Sequence, residues 1–307
     1  ADYKNILREL LEGIGALRME EEWVPSLLAL LEAWTSNVPS STALGERADI
    51  SLFDHAKIAA AVAACISEYL LCAGRRDLRG ELLERAAAFR AENAFLLFSA
   101  DLSGIQSFLY TVSTGKALRS LRSRSFYLEM LMEHVIDEVL AACGLSRANL
   151  LYSGGGHCYV LLPNTEEARQ GIEAVMRCVR RDLIRQFGLR LYLAYAFVPC
   201  SANDLVNQPA EKAPYPGLYR QLSEALSRQK MHRYSAEEIA LLNEQPAGED
   251  GRECKICGRA DLHTGNLCQW CDRFTRLSAP IQNCDVFYLS GQADASALPL
   301  PSPKGTL

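Results

Sequence analysis

With 307 residues, 49% of them hydrophobic and 22% charged, the chain has the length for two domains and the composition of a globular core, not of a disordered tail. A net charge of −5 excludes nucleic-acid binding by the whole surface and leaves room only for a local basic patch. The apolar runs fall short of the ~20 residues a membrane helix needs and no signal segment opens the chain, so the expected setting is the cytoplasm, with no membrane partner.

Residues 1 to 90 read as helical, in Leu/Ala-rich periodic segments such as "DYKNILRELLEGIGAL" and "SLLALLEAW". Asp49 or Ser51 is placed to cap a helix running through "LFDHAKIAAAVAACISEYL". At "NAFLLFSADLSG" the pattern changes. Ala94 to Ala100 predicts a buried strand that stops at Asp101, and Ser103-Gly104 turns the chain into a short helical stretch. A helix follows from Leu121, with Leu128, Leu131, Met132, Val135 and Val139 on one face. The stretch "NLLYSGGGHCYVLLPN" then sets three glycines between two short strands, Leu150–Tyr152 and Cys158–Leu162. A second helix carries Ile172, Val175, Met176, Val179, Leu183 and Phe187, and "LRLYLAYAFVP" is the last strand.

This order predicts an α+β chain. A helical N-terminal region (1–90) precedes a ferredoxin-like α/β sandwich (91–200), the sheet called a palm in polymerases and nucleotidyl cyclases. Residues 201–250 read as a helical insertion, with "LYRQLSEALSRQKMHRYSAEEIALLN" as its helical run; 251–290 form a cysteine knuckle and 291–307 a linker.

Seven of the eleven cysteines are scattered singly and read as small buried hydrophobes. The other four, Cys254, Cys257, Cys268 and Cys271, form two C-x-x-C knuckles ten residues apart, the spacing of a tetrahedral zinc site. Four thiolates close the coordination shell, so zinc here is structural; His263, in the intervening loop, is a spare donor.

A working palm holds two divalent ions between a carboxylate at the end of its first strand and acids on the hairpin turn. Asp101 stands at the first place, but the turn reads Gly154-Gly155-Gly156-His157. Two readings of the glycines stay open: a sharp hairpin, or close approach of a nucleotide to the backbone, with Asp101, Ser103, Ser153 and His157 offering polar contacts. Asp101 also fits a helix cap over Ser103-Gly104. Arg119, Arg122 and Arg124, interleaved with serines at a helix start, suit phosphate or RNA as well as a solvated face. Arg220, Arg228, Lys230, His232 and Arg233 form a second basic group, and Arg177, Arg180, Arg181 and Arg185 read as plain solvent-facing charges.

In this order, "ADLSGIQSFLY", "LRSRSFYLEML", "NLLYSGGGHCYVLLPN" and the cysteine knuckle closely resemble the large subunit of type III-A CRISPR effector complexes, the Csm type, as do "DISLFDHAK" and "YSAEEIALLN". The resemblance implies an RNA-guided antiviral complex whose large subunit has two palms, the first degenerate and the second making cyclic oligoadenylate from ATP and magnesium at a Gly-Gly-Asp-Asp turn. It also implies guide RNA, target RNA and the other subunits as partners, and in many members a His-Asp nuclease for single-stranded DNA. Neither motif occurs here, so the chain is expected to be an inert internal fragment, with His55 a leftover nuclease ligand or a solvated histidine. Two rival readings are a zinc-containing nucleic-acid-binding scaffold with no nucleotide role, and a self-sufficient cyclase using Asp101.

Overall fold

The computed structural model describes residues 3–18, 20, 23–43, 45, 47, 49–111, 117–244, 253–260, 262–290 and 297–301. Helices α1 (Tyr3–Ala16), α2 (Trp23–Thr35) and α3 (Leu52–Cys72) come first, then a π-turn at Gly80–Glu84 and α4 (Ala86–Ala91). Of the two expected caps, Ser51 is the one used: its hydroxyl accepts the Asp54 amide at 2.9 Å. By length and composition α3 is apolar enough to cross a membrane, contrary to expectation; Lys57 and Glu68 keep it from being an unbroken apolar run.

The sheet follows: β1 (Phe95–Ser103), α5 (Ile105–Tyr110), α6 (Ala117–Ala142), β2 (Leu150–Gly154), β3 (His157–Pro163), α7 (Glu166–Phe187) and β4 (Tyr192–Cys200). Its four strands run in the order β2-β3-β1-β4, each antiparallel to its neighbours. Alternation sorts the side chains. Leu96, Phe98, Ala100, Cys158, Val160 and Leu162 face the apolar stripes of α6 and α7, while Phe95, Leu97 and Leu161 face the other side. On that second side Asn149 fastens α3 to the sheet, its Nδ2 donating to the Ala61 carbonyl of α3 at 3.1 Å and to the Leu161 carbonyl of β3 at 2.9 Å.

Two boundaries differ from expectation. β1 continues through Asp101 to Ser103, because Asp101 is paired on both sides, with His157 and Ala194, and its charge is met by side chains. The helix expected from Leu121 already runs from Ala117.

Residues beyond Cys200 form α8 (Ala202–Leu205), a 3₁₀ turn at Ala210–Lys212, α9 (Pro214–Met231) and α10 (Ala236–Asn243). The single helical run expected over 218–243 is broken after Met231, where Ser235 and Glu238 form a capping box that starts α10 afresh. α9 buries Leu218, Leu222 and Leu226 against the sheet's second face, and Gln229 Oε1 accepts the Tyr195 amide of edge strand β4 at 2.6 Å. The stretch read as an insertion thus covers part of the sheet.

Last come β5 (Leu262–Thr264), β6 (Leu267–Cys268), α11 (Gln269–Leu277) and α12 (Pro280–Asn283). Trp270 and Phe274 of α11 pack edge-on against Tyr127 of α6, with centroids 5.2 and 5.6 Å away, so the cysteine knuckle shares the core of the α6–α7 layer. The side chain of His263 lies outside the described residues.

Candidate functional site

The glycine hairpin closes in two residues. Gly155 and Gly156 have φ of +62° and +82°, the left-handed pair that a tight turn between right-twisted strands demands. A Cβ on Gly156 would also run into Ile105 of α5. Gly154 needs no unusual φ; a Cβ there would stand 2.8 Å from the Tyr152 hydroxyl, so its bareness makes room for that ring. The sharp-hairpin reading therefore accounts for all three glycines.

On the sheet face carrying α9, one step inside this turn, lies a polar cluster. Asp101 Oδ2 receives Lys230 Nζ of α9 at 2.8 Å and faces His157 Nδ1 at 3.2 Å. His157 Nε2 lies 3.1 Å from Ser99 Oγ. A carboxylate only accepts, so Nδ1 carries the proton, and in the neutral ring Nε2 accepts from the Ser99 hydroxyl. The His157 hydrogen bond, helped by Lys230, outweighs partial burial and holds the Asp101 carboxyl below its ordinary value. The Ser99–His157–Asp101 sequence has the order of a hydrolase triad, yet Ser99 is fully buried and no substrate carbonyl can reach its Oγ. Tyr159 stacks edge-on against His157 at 4.7 Å and against Tyr219 of α9 at 5.1 Å, giving the cluster an aromatic border.

Of the residues expected at a nucleotide site, the structure gathers Asp101, Gly154, Gly155, Gly156 and His157, with Ser103 two positions beyond Asp101 at the end of β1. It does not gather Ser153. The period of two turns that side chain to the opposite face, where its Oγ donates to Glu133 of α6 at 2.9 Å. Nor does Asp101 cap a helix: the N-cap of α5 is Gly104, with φ of +94° and no side-chain cap. Sequence reasoning missed Ser99, whose signal was a lone hydroxyl in an otherwise apolar strand, and placed Lys230 in a basic group without naming Asp101 as its partner. Arg180 is likewise no free surface charge: it pairs with Glu238 at 2.9 Å over the Tyr192 ring. His55 is exposed, and among the described residues it belongs to no cluster able to hold a metal ion.

The cluster that can is the four cysteines. Cys254, Cys257, Cys268 and Cys271 are buried with their sulfurs all within 4.8 Å of one another, and the Cys257–Cys268 pair is 3.6 Å apart. A tetrahedron with metal–sulfur bonds of ~2.3 Å has edges of roughly 3.75 Å, so one ion fits. Thiols this close cannot all ionise against one another: hydrogen bonds from Cys268 and Cys271 favour the Cys257 thiolate and push those two partners up. A dication removes the conflict. Of the scattered cysteines, Cys65, Cys143, Cys158 and Cys200 are buried, with burial pushing each thiol up to about 12, whereas Cys72 and Cys284 are exposed, contrary to expectation.

Of the arginines expected to face phosphate, Arg119 is exposed and Arg122 half-buried. Arg124 is interior, 2% exposed beside the cysteine cluster; α6 turns it inward with Tyr127 and Leu128.

The family profile of Csm1 subunit domain B matches residues 94–245, the stretch that carries Asp101, His157 and Lys230. The single-strand-specific deoxyribonuclease Cas10/Csm1 (subtype III-A) of Mycobacterium tuberculosis is 44% identical over 97% of this chain, and that of Enterococcus italicus 40% identical over 98%. The chain belongs to the Cas10/Csm1 family. It spans 39% and 40% of the length of these two relatives. Among solved structures, a Csm1–Csm4 cassette in complex with pppApA superposes with a TM-score of 0.66 at 32% identity, covering 79% of this chain and 32% of that one. A Csm1–Csm4 cassette in complex with one ATP superposes with 0.65 at 31% identity, covering 80% of this chain and 31% of that one. The Csm1 domain B match ends at residue 245, so the cysteine cluster lies outside it.

Proposed function

We propose that this chain is the portion of a type III-A large subunit that forms one wall of an ATP site for cyclic oligoadenylate synthesis. Its sheet, in the strand order of a ferredoxin-like fold, serves as the degenerate first palm, and a second palm of the parent protein supplies the metal-binding acids. One observation carries the reading: Asp101, the carboxylate on the α9 face of the hairpin, is already paired with Lys230 and hydrogen-bonded to His157. A carboxylate so occupied is not free to anchor a magnesium pair, whereas Lys230, with more N–H donors than Asp101 takes, and the bare glycine backbone suit the phosphates of a nucleotide. ATP and magnesium thus belong to the two-palm assembly, in which the metal neutralises phosphate charge. The cysteine site holds zinc, which when bound staples the knuckle to α6. Other effector subunits, guide RNA and target RNA are the partners, and the cytoplasm the setting.

Incubated with labelled ATP and magnesium, the chain alone should give no cyclic or linear oligoadenylate. Within the parent subunit, Lys230→Ala should raise the KM for ATP by about tenfold, the loss of one charge-assisted contact. Product from the chain alone that disappears in Asp101→Ala, or an unchanged KM in Lys230→Ala, would overturn the proposal.

A further inference from the structure

Arg124 presents an electrostatic problem. It is 2% exposed, yet no ion pair joins it to a carboxylate among the described residues. One Nη donates to the Phe108 carbonyl of α5, the other to Cys271 Sγ at 3.5 Å, and Nε has no acceptor. The Phe108 and Phe274 rings flank the guanidinium, with centroids 5.1 and 5.6 Å from Cζ.

A guanidinium does not deprotonate in a protein, and a buried charge lacking a counter-charge costs several kcal/mol. A carbonyl and two ring faces soften that cost without neutralising it. The group in contact that can bear negative charge is the Cys271 sulfur, a member of the four-cysteine cluster. Thiols or a disulfide would leave the arginine unbalanced. Four thiolates around a dication carry a net charge of −2, itself expensive to bury, so each side supplies what the other lacks.

We propose that Arg124 is the buried counter-ion of a four-thiolate metal centre, holding Cys271 as a ligand and tying that centre to α5. This rests on reading the four cysteines as a zinc site. It replaces the phosphate-binding role that the alternation of arginines and serines suggests for Arg124.

Three readouts on this chain test it. Zinc content should be one ion per wild-type chain. Zinc release into excess chelator should be at least ~10-fold faster in Arg124→Met, the usual scale for losing an outer partner of a metal ligand, and within about threefold of wild type in Arg124→Lys. In cadmium-113-substituted wild-type protein, a guanidinium proton should show scalar coupling to the metal through the N–H···S bond, a measurement that stands even if Arg124→Met does not fold. Release from Arg124→Met as slow as from wild type, a Lys variant no better than the Met one, or absence of the coupling would each refute the counter-ion role while leaving the zinc site intact. A wild-type chain that takes up neither zinc nor cadmium defeats the zinc reading and this inference together.

Discussion

Gly155 and Gly156 share a turn but not a neighbourhood. At Gly155 a Cβ meets nothing within 4 Å, so Gly155→Ala bears only the strain of a φ of +62°. At Gly156 the same strain is compounded by the clash with Ile105. Alanine should therefore cost about 1 kcal/mol at Gly155 and about 2–3 kcal/mol at Gly156, read from urea unfolding; equal costs would show that Ile105 yields freely. Asp101 makes a pH-dependent prediction. Its carboxyl titrates below the ordinary value of 3.8, so its contribution is present above that value and lost as pH falls through the lowered one. Wild type should exceed Asp101→Asn by about 1 kcal/mol at neutral pH, the gap shrinking below roughly pH 4; a gap independent of pH would mean the ion pair contributes nothing. Asp101 and His157 were legible in the sequence because each interrupts an apolar run. Lys230 was not, since its partner lies on a strand far back along the chain and nothing local sets it apart from its basic neighbours. Arg124 was misjudged because serine spacing says nothing of which way a helix turns its arginines.

The two long helices were readable from periodicity, because each buries one face, and the strands from short apolar runs bounded by turn residues, because β1 and β4 are covered on both faces. What misled was termination. A charged residue was taken to end β1, whereas a charge ends a strand only where no partner meets it. The break between α9 and α10 was present in the sequence as Ser235 and Glu238, three apart, but the surrounding helix formers masked it. Asn149 shows how one side chain joins elements that periodicity cannot relate. Asn149→Ala would strip a donor from the Ala61 and Leu161 carbonyls at once and should cost about 2–3 kcal/mol. Amide exchange along α3 should quicken more than exchange in α7; uniform quickening would mean that α3 does not open on its own.

Across the whole molecule, the knuckle behaves as core. Trp270 is 4% exposed and donates to Gln186 Oε1 of α7 at 3.0 Å, so removing metal should disturb α6 and α7 as well as the loop that binds it. Chelation is expected to lower the unfolding midpoint by at least about 5 °C and to red-shift tryptophan emission; stripped protein that melts like the loaded form would make the knuckle an appendage. The spacing of the cysteines announced a cluster able to hold a metal ion but not its address, because the aromatic residues receiving it lie in α6 and α7. The hydrogen-bonded set Ser99, Asp101, His157 and Lys230 has a similar property. Ser99 and His157 are 58 positions apart, and Lys230 is farther still. No fragment lacking β1, β3 or α9 can assemble it, so a spectroscopic label on that imidazole would fall silent until the last of the three segments arrives, and would time the completion of folding.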